Sequence, residues 1–314
     1  MTKCVVYMRG GMGDMYPFLT QLPAFLKEYE LKLSDLDIYI DSAYFQRPDI
    51  PIYRFNLHSM KEMLKCFGIF NYTTVPADFS SAWDLKFHCQ MCHVFGAETH
   101  RIFEHLEPES SKFMFWRQDK TIEYIQNKIK EGNARYFIDV AIPEHIYLWD
   151  LKFKKKPVKM NYQDREMDYT VPEEEKKFLD NILKEKHMLI QLGLRGFAEN
   201  VTDANILITK LTAQGYKVIL SGFDIGYIRN DNVIDFTNNT LSFAGYLYLS
   251  ENAREAIMYS SFFSFHRMYV GENITYSYWA KHLGDWHNYL WESCINNENN
   301  KFINSDEHSL LEII

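Results

Sequence analysis

RGGMGDMYP, residues 9–17, sets Gly10, Gly11 and Gly13 around one acid, Asp14, directly after the apolar run KCVVYM (3–8) and directly before an apolar segment. Each glycine weakens a regular element by roughly 1 kcal/mol relative to alanine, so three together need a backbone reason. A tight strand-to-helix turn supplies one. In an open α/β fold such a turn lies at the carboxyl edge of the sheet, where ligands bind, and glycines let backbone N–H groups approach an anion. The spacing is not that of the dinucleotide fingerprint, and no Lys-Ser/Thr ending marks a nucleoside triphosphatase loop.

Outward from this turn the chain alternates strand-like and helix-like stretches. Residues 14–29 carry Met15, Phe18, Leu19, Leu22, Phe25 and Leu26 at helical spacing, with Pro17 and Pro23 expected to bend or delay the helix. LDIYI (36–40) reads as a second strand and IPIYRF (50–55) as a third. KFMFW (112–116), a helix at 119–130 ended near Gly132, and the strand-like ARYFIDVAI (134–142) continue the rhythm. KFKKKPVKMNYQDREMDYTVPEEE (152–175) is polar and charged, a linker into a helix at 173–185. The pattern restarts with HMLIQLG (187–193), a helix at 201–214 closed by Gly215, YKVILSG (216–222) and NVIDF (232–236). A helix near 251–259, a strand at SSFFSF (260–265) and a helix near 273–283 are expected to follow. Such alternation implies parallel sheets, hence an α/β protein of two Rossmann-like domains, 1–160 and 161–314, facing a cleft.

The chain has 314 residues, more than one core usually holds, which agrees with two domains. Hydrophobic content of 46% beside 24% charged residues is that of a globular protein, and no apolar run is long enough to span a membrane. Arg9 and the glycines break the apolar core that a secretory signal would need, so a cytoplasmic location is expected. The formal charge of −8 offers no general attraction for phosphate backbones or anionic lipid, although KFKKKPVK (152–159) is a local basic patch. Five cysteines, an odd number, do not suggest a disulfide framework. HCQMCH (88–93) gives Cys89, Cys92 and His93 a haem-attachment spacing, and with His88, His100 or His105 a permissible zinc spacing. Haem attachment needs export and the zinc set lacks a clear second ligand pair, so structural cysteines and no metal are expected. Asp35 and Asp37 precede a strand rather than follow one, which makes D-L-D a polar turn.

A strand, then R-x-G-x-x-G-D, then an apolar helix containing Leu-Pro resembles the ADP-heptose:lipopolysaccharide heptosyltransferase family. The matching residues are Arg9, Gly11, Gly13, Asp14, Leu22 and Pro23, with Gly10 where the family usually has proline. IQLGLR (190–195) is similar to the family's strand leading into a glycine turn, and KVILSG (217–222) to the strand before its G-G-like turn. NVIDFTNNTLSF (232–243) resembles the strand and loop that lead to T-S-L. EAIMYSSFFSFHRMYVGENITYSYWAKHLG (255–284) resembles the helix, strand and binding loop ending in A-x-x-x-G, with HRMYVGENITYSYWA in place of the family's D-S-G-P-x-H-L-A.

The resemblance implies a GT-B glycosyltransferase: an enzyme that moves a sugar from a nucleotide-diphosphate sugar to an acceptor hydroxyl, inverting, without metal or other cofactor. The donor would be held mainly by the second domain and the acceptor would be a surface glycan. Asp14 is then the base that takes the hydroxyl proton. Arg195, following Gly193 in the second-domain turn, is the cation that stabilises the departing diphosphate. Gly11, Gly13, Gly193, Gly271, Glu272, Asn273 and Thr275 form the donor-binding set, with Glu272 on a ribose or sugar hydroxyl. Arg9 and His266 are candidates to contact the acceptor or orient the base. The residues alone leave open that Asp14 caps a helix, that Arg195 is a solvated surface residue and that 271–275 is an ordinary turn. Two other functions stay open. The wealth of Asn, Lys, Ile, Tyr and Phe fits an AT-rich genome, many phage genomes included, and a phage-type enzyme glycosylating hydroxymethylated DNA bases could use the 152–159 cations. A non-catalytic sugar-nucleotide-binding module is the third.

Overall fold

The computed structural model describes residues 3–46, 51–76, 118–140, 146–152, 158–159, 169–193, 201–222, 224–237, 240–259, 261–270, 273–279, 298–304 and 308–313. The chain divides into two compact units, Met1–Asp168 and Tyr169–Ile314.

In the first unit β1 (Cys4–Arg9) leads into α1 (Met12–Glu28), then β2 (Leu36–Asp41), α2 (Ala43–Gln46), α3 (Pro51–Cys66), β3 (Thr73–Thr74), α4 (Gln118–Gly132), β4 (Tyr136–Val140), β5 (Ile146–Asp150) and β6 (Val158–Lys159). The strands form one six-stranded sheet in the order β3-β2-β1-β4-β5-β6. The first four are mutually parallel and the last two add in antiparallel fashion. Strand order reverses between β1 and β4. In a doubly wound sheet that reversal opens a crevice at the carboxyl ends of the two strands.

Every residue of β1 is buried, as expected of a parallel strand covered on both faces. Met15, Phe18, Leu19, Leu22 and Phe25 of α1 are at most 3% exposed, and α1 packs on β1 and β4. Ile125 and Ile129 of α4 close the other face over Val5, Tyr7, Phe137 and Trp149. Full burial of each large apolar side chain is worth about 1.5–3 kcal/mol. That stripe outweighs the prolines, and α1 runs unbroken through Pro17 and Pro23 rather than being bent or delayed. Residues 51–55 of the expected strand are instead the start of α3, which further on buries Met60, Met63 and Leu64. KFMFW (112–116) lies outside the described residues. Part of the expected linker, Val158–Lys159, pairs with β5 as the edge of the sheet.

The second unit contains α5 (Glu173–Leu183), β7 (His187–Gly193), α6 (Val201–Ala213), β8 (Lys217–Gly222), β9 (Val233–Thr237), α7 (Phe243–Asn252), β10 (Glu255–Tyr259), α8 (Phe262–Val270), β11 (Ile274–Trp279) and β12 (Asn300–Asn304). Its sheet, β12-β11-β10-β7-β8-β9, is parallel throughout and reverses between β7 and β10. Ala204, Leu207, Ile208 and Leu211 of α6 pack on Met188, Ile190, Val218 and Leu220. Gly215 ends this helix at φ +80°, the left-handed closure that glycine permits.

Three expectations near the end of this unit are corrected. Residues 255–259 are a strand, 262–270 a helix and 274–279 a strand, where the reverse order of types was expected over 251–283. EAIMY is five residues long and buried at four of them; so short an apolar run cannot be told from a helix by periodicity. SSFFSF has strand-forming aromatics, but tertiary packing overrides that propensity, with Phe262 stacked against Phe243 at 5.4 Å between ring centroids.

Candidate functional site

At the carboxyl end of β1 the backbone turns at Gly10, whose φ of +97° is a left-handed value that glycine adopts without strain. The Gly11 carbonyl accepts from the Met15 N–H at 3.2 Å, so Gly11 caps α1, with Gly13 and Asp14 second and third in the helix. Asp14 is therefore placed in the first turn, where the helix dipole favours an acid, beside the β1/β4 reversal. Gly11 and Gly13 stand in the same turn.

This turn is held from both flanking strands. Gly10 N–H donates to the Asp41 carbonyl at 3.1 Å, and the Tyr7 hydroxyl donates to Asp41 Oδ2 at 2.6 Å. On the other side Arg9 donates from Nε to Asp139 Oδ1 at 3.1 Å and from Nη2 to Oδ2 at 2.9 Å. Both side chains of this pair are 0% exposed. Arg9, a candidate to contact the acceptor or orient the base, is thus committed to the interior, its charge matched by Asp139 rather than offered to an acceptor.

In the second unit, Gly193 ends β7 in register with Gly222 of β8, itself in register with Thr237 of β9. Register shifts between Ile190 and Gly193, and Leu192 N–H donates to the Tyr227 hydroxyl at 3.3 Å. Such irregularities re-aim groups at a sheet edge. On the other side of β7, β10 ends at Tyr259 and Ser261 opens α8. Ser264 N–H donates to Ser261 Oγ at 3.3 Å and Ser261 N–H to Ser264 Oγ at 2.8 Å, a reciprocal cap. Ser261 Oγ also donates to Gln191 Oε1 at 3.4 Å. Gly193, Gln191, Ser261 and Ser264 thus gather at the β7/β10 reversal, with Gly222 alongside. Apart from Gly193, these are not among the site residues the sequence singles out. The signal for two of them is S-F-F-S (261–264), a serine followed three residues later by another, a helix start.

Asn273 and Thr275 lie at the amino end of β11, the opposite edge of the sheet from Gly193, and the structure does not bring them together with it. Asn273 Nδ2 donates to the Glu251 carbonyl at 2.8 Å. Thr275 is fully buried and its hydroxyl accepts from Arg267 Nε at 2.8 Å. Arg267 also donates to the carbonyls of Ser250 and Ile274, the former in the last turn of α7, where a cation is favoured. Burial pushes the Arg267 pKa down to about 9. His266 is likewise interior, with Nε2 at 2.5 Å from Glu251 Oε1, while Tyr169 donates to Glu251 Oε2 at 2.5 Å.

Arg195, Gly271 and Glu272 lie outside the described residues, as do Cys89, Cys92, His93, His88, His100 and His105. Among the described residues no group of three or more His, Cys, Asp or Glu is placed to hold a metal ion, and no helix is long and apolar enough to cross a membrane.

No protein-family model matches the chain, and no curated protein matches it by sequence. Among solved structures it is similar to a glycosyl transferase family 9 protein from Veillonella parvula, with a TM-score of 0.51 and 8% identity over 98% of this chain and 86% of that one. The E. coli heptosyltransferase TibC in complex with ADP-D-β-D-heptose gives 0.44 and 10% identity over 96% of this chain and 62% of that one. The S. aureus MnaA–UDP complex gives 0.43 and 9% over 88% and 79%. The first of these likenesses shows the fold: two Rossmann-like units with the GT-B arrangement of elements found in glycosyltransferases.

Proposed function

We propose that this chain is a glycosyltransferase that moves a sugar from a nucleotide-diphosphate sugar to an acceptor hydroxyl, with inversion and without a metal. The observation that carries the reading is one juxtaposition within this fold: β1 ends in a glycine turn and α1 opens with Asp14 in its first turn, beside a strand-order reversal. In this reading the Asp14 carboxylate takes the proton of the acceptor hydroxyl as its oxygen bonds to the anomeric carbon. The opposite carbon–oxygen bond breaks and its electron pair leaves with the diphosphate. The growing charge on that group calls for N–H donors and a cation. We assign the cation to Arg195, and the donors to the Gly193–Gly222 edge with the Ser261-capped start of α8. A surface glycan is our acceptor, which extends the resemblance carried by Arg9, Gly11, Gly13 and Asp14.

Binding measured across a panel of nucleoside diphosphates identifies the donor class, and Asp14→Asn tests the chemistry. The variant is expected to lower transfer by roughly 10²–10⁴-fold with donor affinity intact. Full activity in Asp14→Asn, or a strict magnesium requirement for turnover, overturns the mechanism. A purified chain that binds a nucleotide sugar but turns over none of the acceptors tried favours the binding-module alternative.

A further inference from the structure

Beneath the β1–α1 turn four side chains share one face of the first sheet: Tyr7, Arg9, Asp41 and Asp139. Tyr7 is the register partner of Asp139 and Arg9 of Asp41, so both neighbouring strands contribute a carboxylate. All four residues are 0% exposed. Arg9 is forked onto Asp139, Tyr7 is bonded to Asp41, and the Arg9 guanidinium lies 5.6 Å from the centre of the Tyr7 ring.

A buried ion pair is a poor device for stability, because two charges are taken out of water and an apolar pair of similar volume is often as good or better. What a bidentate pair supplies is geometry. Its fork fixes the guanidinium in plane and direction, and Arg9 is the last residue of β1, one bond before Gly10 at φ +97°. From Gly10 to Asp14 the chain carries three glycines, the residues with most freedom to lose. A base displaced by about 1 Å can lose about 10²-fold in rate. The freest backbone at this edge thus joins two places that must be exact.

We propose that Asp139 is a positioning residue of the transfer reaction: its two bonds to Arg9 hold the end of β1 and so fix where the first turn of α1 presents Asp14. This rests on the reading of Asp14 as base. Asp139 acts through Arg9 and touches neither substrate nor reacting atom.

The test uses the full chain and two variants. Arg9→Met/Asp139→Leu replaces both members of the ion pair by apolar side chains and leaves Asp41 with its hydrogen bond from Tyr7. Arg9→Lys keeps the charges matched but cannot make the fork. For the nucleotide-diphosphate sugar selected by the donor panel, KM is expected within twofold of the parent and kcat lower by about 10–100-fold in the double variant, less in Arg9→Lys. A contribution to folding alone would not lower kcat in a variant whose urea midpoint is unchanged. Backbone hydrogen exchange at residues 10–15 is read in parallel and is expected to quicken at least several-fold with β1 unaffected. Either folded variant with parental kcat and parental exchange at 10–15 overturns the proposal. Should the parent chain transfer no sugar, the reading of Asp14 fails separately, and unchanged exchange still overturns the positioning role.

Discussion

Gly193 and Gly222 are register partners at the carboxyl ends of β7 and β8, so two neighbouring positions on the second sheet's edge carry no side chain. They answer to different demands. Gly222 sits at φ +83°, and Gly222→Ala is expected to cost about 1–3 kcal/mol in urea unfolding through backbone strain alone. Gly193 ends a strand. Gly193→Ala is expected to keep stability within about 0.5 kcal/mol while weakening nucleotide binding about tenfold, a loss of about 1.4 kcal/mol, if this edge receives the donor. Parental affinity by calorimetry would remove Gly193 from the donor site.

Thr275 offers the reverse case. Its hydroxyl accepts from the buried Arg267, and Thr275→Val leaves that guanidinium one acceptor short at nearly constant volume. A loss of about 1–3 kcal/mol in stability is expected, with nucleotide affinity within twofold. Affinity lost without a loss of stability would return Thr275 to the donor-binding set.

His187 ties folding to pH. Its Nε2 accepts the Arg254 N–H at 2.9 Å, while Nδ1 lies 2.8 Å from the Glu185 carbonyl and donates to it. That pattern requires the neutral ring, and burial, with Arg267 nearby, holds its pKa below the usual 6.5. Between the folded value and 6.5 the unfolded chain binds more protons, so stability rises with pH through that window. The contribution is full above 6.5 and is lost as pH falls through the folded value. His187→Gln, which can keep both hydrogen bonds without titrating, is expected to flatten the urea midpoint between pH 5 and pH 7. An unchanged pH slope would move the effect to another group.

Where local pattern and tertiary demand coincide, the sequence is readable. KCVVYM, the glycines and the α1 stripe announce a strand, a turn and a helix because β1 is covered on both faces and α1 on one. They place Gly11, Gly13 and Asp14 at the carboxyl edge of the first sheet, as HMLIQLG does for Gly193 in the second. From 255 to 279 the elements are short, and among the described residues of α8 the polar Ser264, His266 and Arg267 are buried along with Phe262, Phe263 and Met268, so no alternation of apolar and polar faces reveals a helix. The phase therefore slips by one element. That slip favours Asn273 and Thr275, at the amino end of β11, over Ser261, which follows β10 at the carboxyl edge. The S-F-F-S pattern marks Ser261 as a helix start, whereas a glutamine inside a strand, Gln191, declares nothing about the edge it serves.

At Gly245 the sign of an alanine substitution depends on Glu175. The start of α7 is capped by Ser242, which accepts from the Gly245 N–H at 2.9 Å. Glu175 on α5 in turn accepts from the Ser242 N–H at 2.8 Å and from its hydroxyl. A carboxylate there also suits the positive end of the helix. A Cβ on residue 245 would lie 2.6 Å from Glu175 Oε2 and 2.7 Å from Cδ, so Gly245→Ala must displace that carboxylate and is expected to cost about 1–2 kcal/mol, the scale of a lost cap. With Glu175→Ala already present the obstruction is gone and only helix propensity is left, by which alanine improves on glycine by about 1 kcal/mol. The same Gly245→Ala change is then expected to stabilise, and a double-mutant cycle followed by urea unfolding reads the reversal directly. Equal costs in both backgrounds would mean that Gly245 is kept for a reason other than the room it leaves for Glu175.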